Sequence, residues 1–259
     1  MDLGLRGRRA LVTGSTAGIG LAIAKQLAAE GANVWINGRT QQRVDEAIKQ
    51  VPGTAHAVVA DLTTAEGAAQ LFKLVSDVDV LVNNLGIFEN KPFLEIEDSE
   101  WSHFFEANVM SGVRITRHYL PAMLKRRWGR VLFISSESGV LIPSEMVHYG
   151  VTKAAQIALA RGIAESIPAS GVTVNSLLPG PTESEGVSKI IATMAREKGI
   201  SKDQVERDFI RDVRPSSINK RLARVEEVAA MATYLCSDLA SATNGAPVRV
   251  DGGVVSSAY

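Results

Sequence analysis

Ala10-Leu11-Val12-Thr13-Gly14-Ser15-Thr16-Ala17-Gly18-Ile19-Gly20 decides how the rest of the chain folds. Three apolar residues form a short strand, a glycine-rich turn follows, and residues 19–30 continue with helical spacing. Glycine lets the backbone turn tightly and approach an anion without a side-chain clash. The helix behind the turn offers unpaired N–H groups and the positive end of its dipole. A strand, glycine turn and helix in this order, opening a βαβ series, is the arrangement that receives the pyrophosphate of a dinucleotide.

The same grammar repeats outward from this stretch. Gly31 stops the first helix, and strands are expected near 34–36, 57–60, 78–82, 130–134, 172–177 and 248–250. Helices are expected near 41–50 and 65–75, with two long ones near 99–125 and 147–169. Seven strands alternating with helices predict an α/β fold, a Rossmann-type doubly wound parallel sheet with helices on both faces. No linker-like composition interrupts the series, so residues 1–259 read as a single domain. The exception is 183–219, which is polar and charged and lacks a strand pattern. Helical spacing at 188–198 puts Ile190, Ile191 and Met194 on one side, and an insertion after a strand's C-terminal end predicts a lid over the ligand crevice.

Composition narrows the function classes. Among 259 residues, 28 basic side chains balance 28 acidic ones, which gives no global field for nucleic acid or an anionic membrane. No apolar run is long enough to span a bilayer, and no apolar signal core follows Arg6, Arg8 and Arg9. One cysteine, Cys236, permits no intrachain disulfide. The cytoplasm is the expected compartment. Four histidines at 56, 103, 118 and 148 have no ligand spacing, so no metal is expected.

The glycine spacing is Gly-x-x-x-Gly-x-Gly, and other short motifs follow it in order: Asp61-Leu62, Asn83-Asn84-Leu85-Gly86, Ser135-Ser136, Tyr149-x-x-x-Lys153, Pro179-Gly180 and Asp251-Gly252-Gly253. With these motifs the chain resembles the short-chain dehydrogenase/reductase family, including its 3-oxoacyl-acyl-carrier-protein reductase-like members. The resemblance implies a nicotinamide dinucleotide held by Gly14, Ser15, Thr16, Gly18, Ile19 and Gly20. It also implies Asp61 and Leu62 near the adenine, with Asn84, Gly86, Pro179, Gly180, Thr182 and Ser184 completing the contacts. Leu85 stands where the family has alanine and adds bulk beside the cofactor.

The second strand ends in Asn37-Gly38-Arg39. The carboxylate that would accept from a ribose 2′-hydroxyl is absent there, and Arg39 suits a 2′-phosphate. NADP(H) is therefore the preferred cofactor, with NAD(H) the alternative.

Tyr149 and Lys153 lie four residues apart, on one helix face. Bringing a phenol from its usual pKa near ~10 to neutrality takes roughly 4 kcal/mol. A cation about 4 Å away supplies about that much at an effective dielectric near 20. By resemblance, Tyr149 is the acid/base, also touching the cofactor together with Lys153, Ser136 binds the substrate oxygen, and Asn108 holds a water beside the lysine. Ser135 reads as structural. These four groups imply hydride transfer between the cofactor and a small-molecule carbonyl or secondary alcohol. An isomerase or dehydratase on the same scaffold, or an NADP-binding sensor without turnover, stay open. Ser138, Val140, Leu141, Pro143, Met146 and the lid near 187–194 are pocket candidates, and Glu89, Glu137, Glu145, Glu183 and Glu185 read as solvated carboxylates around the mouth. The small residues Ala154, Ala155, Ala158 and Ala160 permit close helix contact, and the resemblance implies a homo-oligomer, a tetramer or dimer.

Overall fold

β1 (Arg9–Val12) carries three wholly buried residues in succession, Ala10, Leu11 and Val12. That continuity reflects a strand covered on both faces. The computed structural model describes residues 1–258, apart from the side chains of Lys189 and Ile190. β1 runs into α1 (Gly18–Ala29), β2 (Asn33–Gly38), α2 (Gln41–Ile48), β3 (Ala55–Val59), α3 (Ala65–Leu74) and β4 (Val80–Asn83). The second half continues with α4 (Asp98–Phe105), α5 (Ser111–Lys125), β5 (Gly129–Ile134), α6 (Val147–Ser166), β6 (Val172–Pro179), α7 (Glu185–Lys198), α8 (Lys202–Val213), α9 (Val225–Leu235) and β7 (Pro247–Val250).

The seven strands pair in the order β3-β2-β1-β4-β5-β6-β7, all parallel. Winding reverses between β1 and β4, which opens a crevice at the C-terminal ends of these two strands. Adjacent strand residues point to opposite faces, so Val12 packs with Ile23 and Leu27 of α1 and Val228 of α9. Leu11 packs on the other face with Ile115 and Met123 of α5 and Ala160 of α6. Cys236 is buried, and burial pushes its thiol up to about 12, so it stays an inert part of the core.

Two helical details depart from the expectation. The run near 99–125 is α4 and α5 joined by a π-helical turn, Glu106–Met110, which contains Asn108. The helix expected to reach 169 ends at Ser166, and Ala169 takes a positive φ of 53°.

The 183–219 segment holds two helices where the spacing indicated one. Ser184 caps α7 by accepting from the Val187 N–H, and Gly199 ends it in the left-handed conformation. Ser201 then caps α8 through the Gln204 N–H at 3.2 Å. The side chain of Ile190 lies outside those described; Ile191 and Met194 are half-buried and Ala195 is buried.

Candidate active site

Gly14 and Gly18 adopt left-handed backbone, with φ of 58° and 55°. A Cβ on Gly20 would fall 2.4 Å from Asn84 Nδ2 and 2.7 Å from the Gly14 carbonyl oxygen. Only a residue without a side chain fits that approach. The turn is braced from both sides. Gly14 N donates to Asn37 Oδ1 at 3.0 Å, and Asn84 Nδ2 donates to the carbonyls of Thr13 and Gly14 at 2.9 and 3.0 Å. Ser15 is fully buried, its N–H bonded to the Asn37 carbonyl and its hydroxyl to that of Val12, so it shapes the turn from within. Ala17 precedes α1 without a capping side chain, which leaves first-turn N–H groups for an outside acceptor. This small-residue cradle in front of an uncapped helix fits a dinucleotide pyrophosphate.

Beside the cradle, the end of β2 is tightly packed. A Cβ on Gly38 would lie 2.4 Å from Thr16 Cγ2, and Arg39 beside it is exposed. Arg43, one helical turn on, pairs with Glu185 at 2.8 Å and so connects α2 to the first residue of α7. Asp61 Oδ1 accepts from the N–H and hydroxyl of Thr63. Leu62 is buried in the core and can meet a ligand only through its main chain. Thr182, buried, donates its hydroxyl to the Gly180 carbonyl at 2.8 Å. Ser184 adjoins the glycine turn, its Cβ 3.4 Å from a Cβ built on Gly18. Pro179 closes β6, and Gly180 packs so tightly on Asp251 that a Cβ would meet its backbone at 2.7 Å. Leu85 leans on the same turn, with its Cδ1 3.5 Å from a Cβ built on Gly14.

Across the crevice stand the four expected reacting groups. Lys153 is buried and donates to the Ile134 carbonyl at 2.9 Å and to Gln156 Oε1 at 3.1 Å. Its Nζ lies 3.4 Å from a Cβ built on Gly86, beside the Asn-Asn-Leu-Gly turn. It sits 5.5 Å from the centre of the Tyr149 ring. Ser135 bonds the Lys153 carbonyl at 2.8 Å and is structural, as expected. Ser136 Oγ accepts from the Ser138 N–H at 3.1 Å and donates to Glu137 Oε2 at 2.5 Å.

Asn108 is buried and its side chain is fully bonded. Its Oδ1 accepts from Ile87 N at 2.7 Å, and its Nδ2 donates to the Ile87 carbonyl and to Thr152 Oγ1. The side chain is thus consumed in joining the loop after β4 to α6. Its main-chain carbonyl accepts from Gln156 Nε2 at 2.5 Å. Gln156 thereby links Lys153 to Asn108.

Burial dominates the electrostatics. It pushes the Tyr149 phenol above its usual range; a hydrogen bond with Ser136 and the charge of Arg214 act the other way, while Glu137 adds to the rise. Burial also pushes the Lys153 ammonium down to about 7, against the charge of Glu137. A lysine so desolvated is charged only in part near neutral pH, which weakens it as a counter-charge for the phenol.

Glu137 corrects the sequence reading most sharply. It is 4% exposed, not solvated, and pairs with Arg214 Nε at 3.3 Å. Arg214, 7% exposed, also reaches Glu145 at 3.2 Å. Sequence gave Glu137 a place at the mouth but no partner, and Arg214 had no local signal. Gln156 was detectable, because three residues after Lys153 falls on the same helix face. His148 turns away from the crevice: its ring lies 4.0 Å from Phe104, and burial pushes its pKa down. Among the described residues no group of His, Cys, Asp and Glu could hold a metal, and no helix is long and apolar enough to cross a membrane.

The family model for short chain dehydrogenase matches residues 8–195. The uncharacterized oxidoreductase YvaG of Bacillus subtilis is 46% identical, with 100% of both chains covered. A D-beta-hydroxybutyrate dehydrogenase of Rhizobium meliloti is 34% identical, covering 95% of this chain and 98% of its own. L-sorbose reductase from Gluconobacter frateurii, solved with NADPH and L-sorbose, superposes with a TM-score of 0.93 at 29% identity, covering 99% and 100% of the two chains. Cradle, sheet order and sequence agree that the chain belongs to the short-chain dehydrogenase family, NAD(P)-dependent oxidoreductases acting on CH–OH and C=O groups.

Proposed function

We propose that the protein moves a hydride between NADP(H) and a carbonyl or secondary alcohol substrate, with Tyr149 as the general acid/base. The observation that carries this reading is the convergence of Ser136, Tyr149 and Lys153 at the end of β5, beside Gly86 and across from the glycine cradle. When bound, the nicotinamide supplies the hydride or accepts it. In reduction, Tyr149 Oη gives its proton to the substrate oxygen as negative charge develops there. Ser136 offers a hydroxyl to the same oxygen. Lys153, held by Ile134 and Gln156, favours the ionised phenol to the extent that it is itself protonated. In oxidation the proton moves the other way, from the alcohol to Tyr149.

Arg39 supports NADP(H) over NAD(H), because an exposed guanidinium, and no carboxylate, stands at the strand end. In this reading α7 and α8 cover the substrate. The enzyme works as a cytoplasmic homo-oligomer, joined through Ala154, Ala155 and Ala158, which stay wholly or partly exposed while Ala160 packs on its own sheet.

The test is fluorescence titration of wild type and Arg39→Ala with NADPH and NADH, followed by a carbonyl panel that includes L-sorbose and acetoacetate. Tighter NADPH binding that Arg39→Ala removes, with turnover abolished in Tyr149→Phe, supports the reading. Equal or tighter NADH binding overturns the cofactor preference. Nucleotide binding without consumption on any carbonyl turns the reading toward an isomerase, dehydratase or sensor.

A further inference from the structure

Ser136 does not stand alone at the head of β5. Its proton is donated to Glu137 Oε2 at 2.5 Å, while its oxygen accepts from Ser138 N. A carboxylate buried as deeply as Glu137 needs a counter-charge. Arg214 supplies it, with Nε 3.3 Å from Oε1, and the guanidinium is anchored in turn by Glu145 Oε1 at 3.2 Å and the Val213 carbonyl at 2.9 Å. The steps of proton and hydride transfer use neither Glu137 nor Arg214. Even so, one touches the serine directly, and the other arrives from the end of α8 to meet it.

A lone carboxylate would hold the Ser136 proton strongly, away from a substrate oxygen. A guanidinium on its second oxygen draws charge from the first and leaves that proton easier to share. We propose that Glu137 and Arg214 are a positioning pair for the reaction: Glu137 orients the Ser136 hydroxyl, and Arg214 sets how tightly that hydroxyl is held and how much negative charge Tyr149 meets. The proposal rests on the reading of Ser136, Tyr149 and Lys153 as the reacting groups.

The charges around the phenol come from several elements. Lys153 faces it from α6, Ser136 and Glu137 from the turn after β5, and Arg214 from the end of α8. Glu145 touches Arg214 on its outer side. The ring of Phe88, from the loop after β4, closes the remaining side without charge, its centroid 6.2 Å away. His148, next in the helix, packs against Trp101 and Phe104, and Glu89, Lys91 and Glu100 act on it there. Glu137 raises the proton affinity of Tyr149, and Arg214 lowers it.

The experiment is the pH dependence of kcat and KM for alcohol oxidation with NADP+, using the secondary alcohol of the ketone reduced fastest in the panel. It compares wild type with Glu137→Gln, Arg214→Gln, Arg214→Lys and the Glu137→Gln/Arg214→Gln double variant. Removing the carboxylate moves the rising limb of kcat to lower pH, and removing the guanidinium moves it to higher pH, each by about one unit. The double variant returns near wild type, Arg214→Lys stays near wild type, and KM for the nucleotide holds. Shifts in the same direction, or lower kcat with an unmoved limb, overturn the proposal. If wild type oxidises no alcohol, the functional reading fails separately. In that case tyrosinate absorbance of wild type and Glu137→Gln, each against its Tyr149→Phe counterpart, still decides. An acid shift in Glu137→Gln sustains the pair, and coincident titrations overturn it.

Discussion

Gln156 donates through Nε2 to the main-chain carbonyl of Asn108 at 2.5 Å, and its Oε1 accepts from Lys153 at 3.1 Å. One amide thereby joins the π turn between α4 and α5 to Lys153. A π turn widens the helix locally and is a recurrent feature of functional sites. Here it brings a carbonyl into the path of a side chain from α6.

Gln156→Leu removes both bonds and leaves the buried Lys153 with only the Ile134 carbonyl. A loss of about 1–3 kcal/mol is expected, because a buried polar group is left unpaired. Urea unfolding with an unchanged m-value would measure it. Gln156→Glu should instead raise the Lys153 pKa above its value near 7, since a carboxylate replaces a neutral acceptor. No change in stability in the leucine variant would mean that water replaces the amide.

Gly20→Ala is expected to damage the cradle without disturbing the reacting groups. The new methyl group would press on Asn84 Nδ2 and the Gly14 carbonyl oxygen. Overpacking of this kind costs about 1–3 kcal/mol, and the displaced turn should weaken nucleotide binding by about tenfold or more. Isothermal titration with NADPH reads the affinity, and equal affinity in wild type and variant would contradict the close approach.

The pH dependence of turnover follows from Tyr149. With the phenol above its usual range, carbonyl reduction has its acid form available throughout neutral pH and should be nearly flat there. Alcohol oxidation needs the phenolate and should climb with pH across the same interval. Tyr149→Phe should lower kcat by about 100-fold or more, with nucleotide binding retained. Oxidation falling as pH rises would remove Tyr149 from its role.

Asp79 anchors the opposite end of the sheet. It accepts from Arg9 N and Nε at 2.9 and 3.0 Å and from Arg9 Nη2 at 2.8 Å. Burial alone would raise its pKa, but the bonds and charge of Arg9, with that of Arg126, hold it below the usual carboxylate range. Its folded value is below its unfolded one, so its contribution is complete above the unfolded value and is lost as pH falls through the folded one. Asp79→Asn should cost about 2 kcal/mol at neutral pH, allowing for the partly exposed Arg9. Denaturation followed from pH 7 downward should keep the two proteins apart down to the usual carboxylate range and bring them together only below it, as pH falls through the lowered Asp79 value. Parallel curves would show that the carboxylate charge is not what stabilises this corner.

The fold was legible because each local signal agreed with the next: buried apolar triplets such as Ala10-Leu11-Val12, glycine turns behind them, and helical spacing after that. α8 was missed although Ser201 marks its start and Val205, Phe209, Ile210 and Val213 recur at helical spacing, because the charged residues between them resemble an irregular surface excursion. Tyr149, Lys153 and Ser136 could be read because their spacing lies within one helix or one strand end. Glu137 could not be read correctly, because its burial depends on Arg214, seventy-seven residues later. Asn108 was picked out by residue type, but which of its atoms does the work depends on the π turn, for which its sequence offered no cue.

The bond between Arg214 and Glu137 also bears on how the chain can be re-engineered. Regions that differ in length after β6 invite transplantation, since a surface module is expected to change substrate preference and leave the scaffold alone. Here the module carries the counter-ion of a carboxylate rooted in the scaffold. A graft that lacks an arginine at 214 would strand Glu137 as an unpaired charge in a dry interior, a penalty of several kcal/mol. The practical unit of exchange is therefore discontinuous, α7 and α8 together with residue 137.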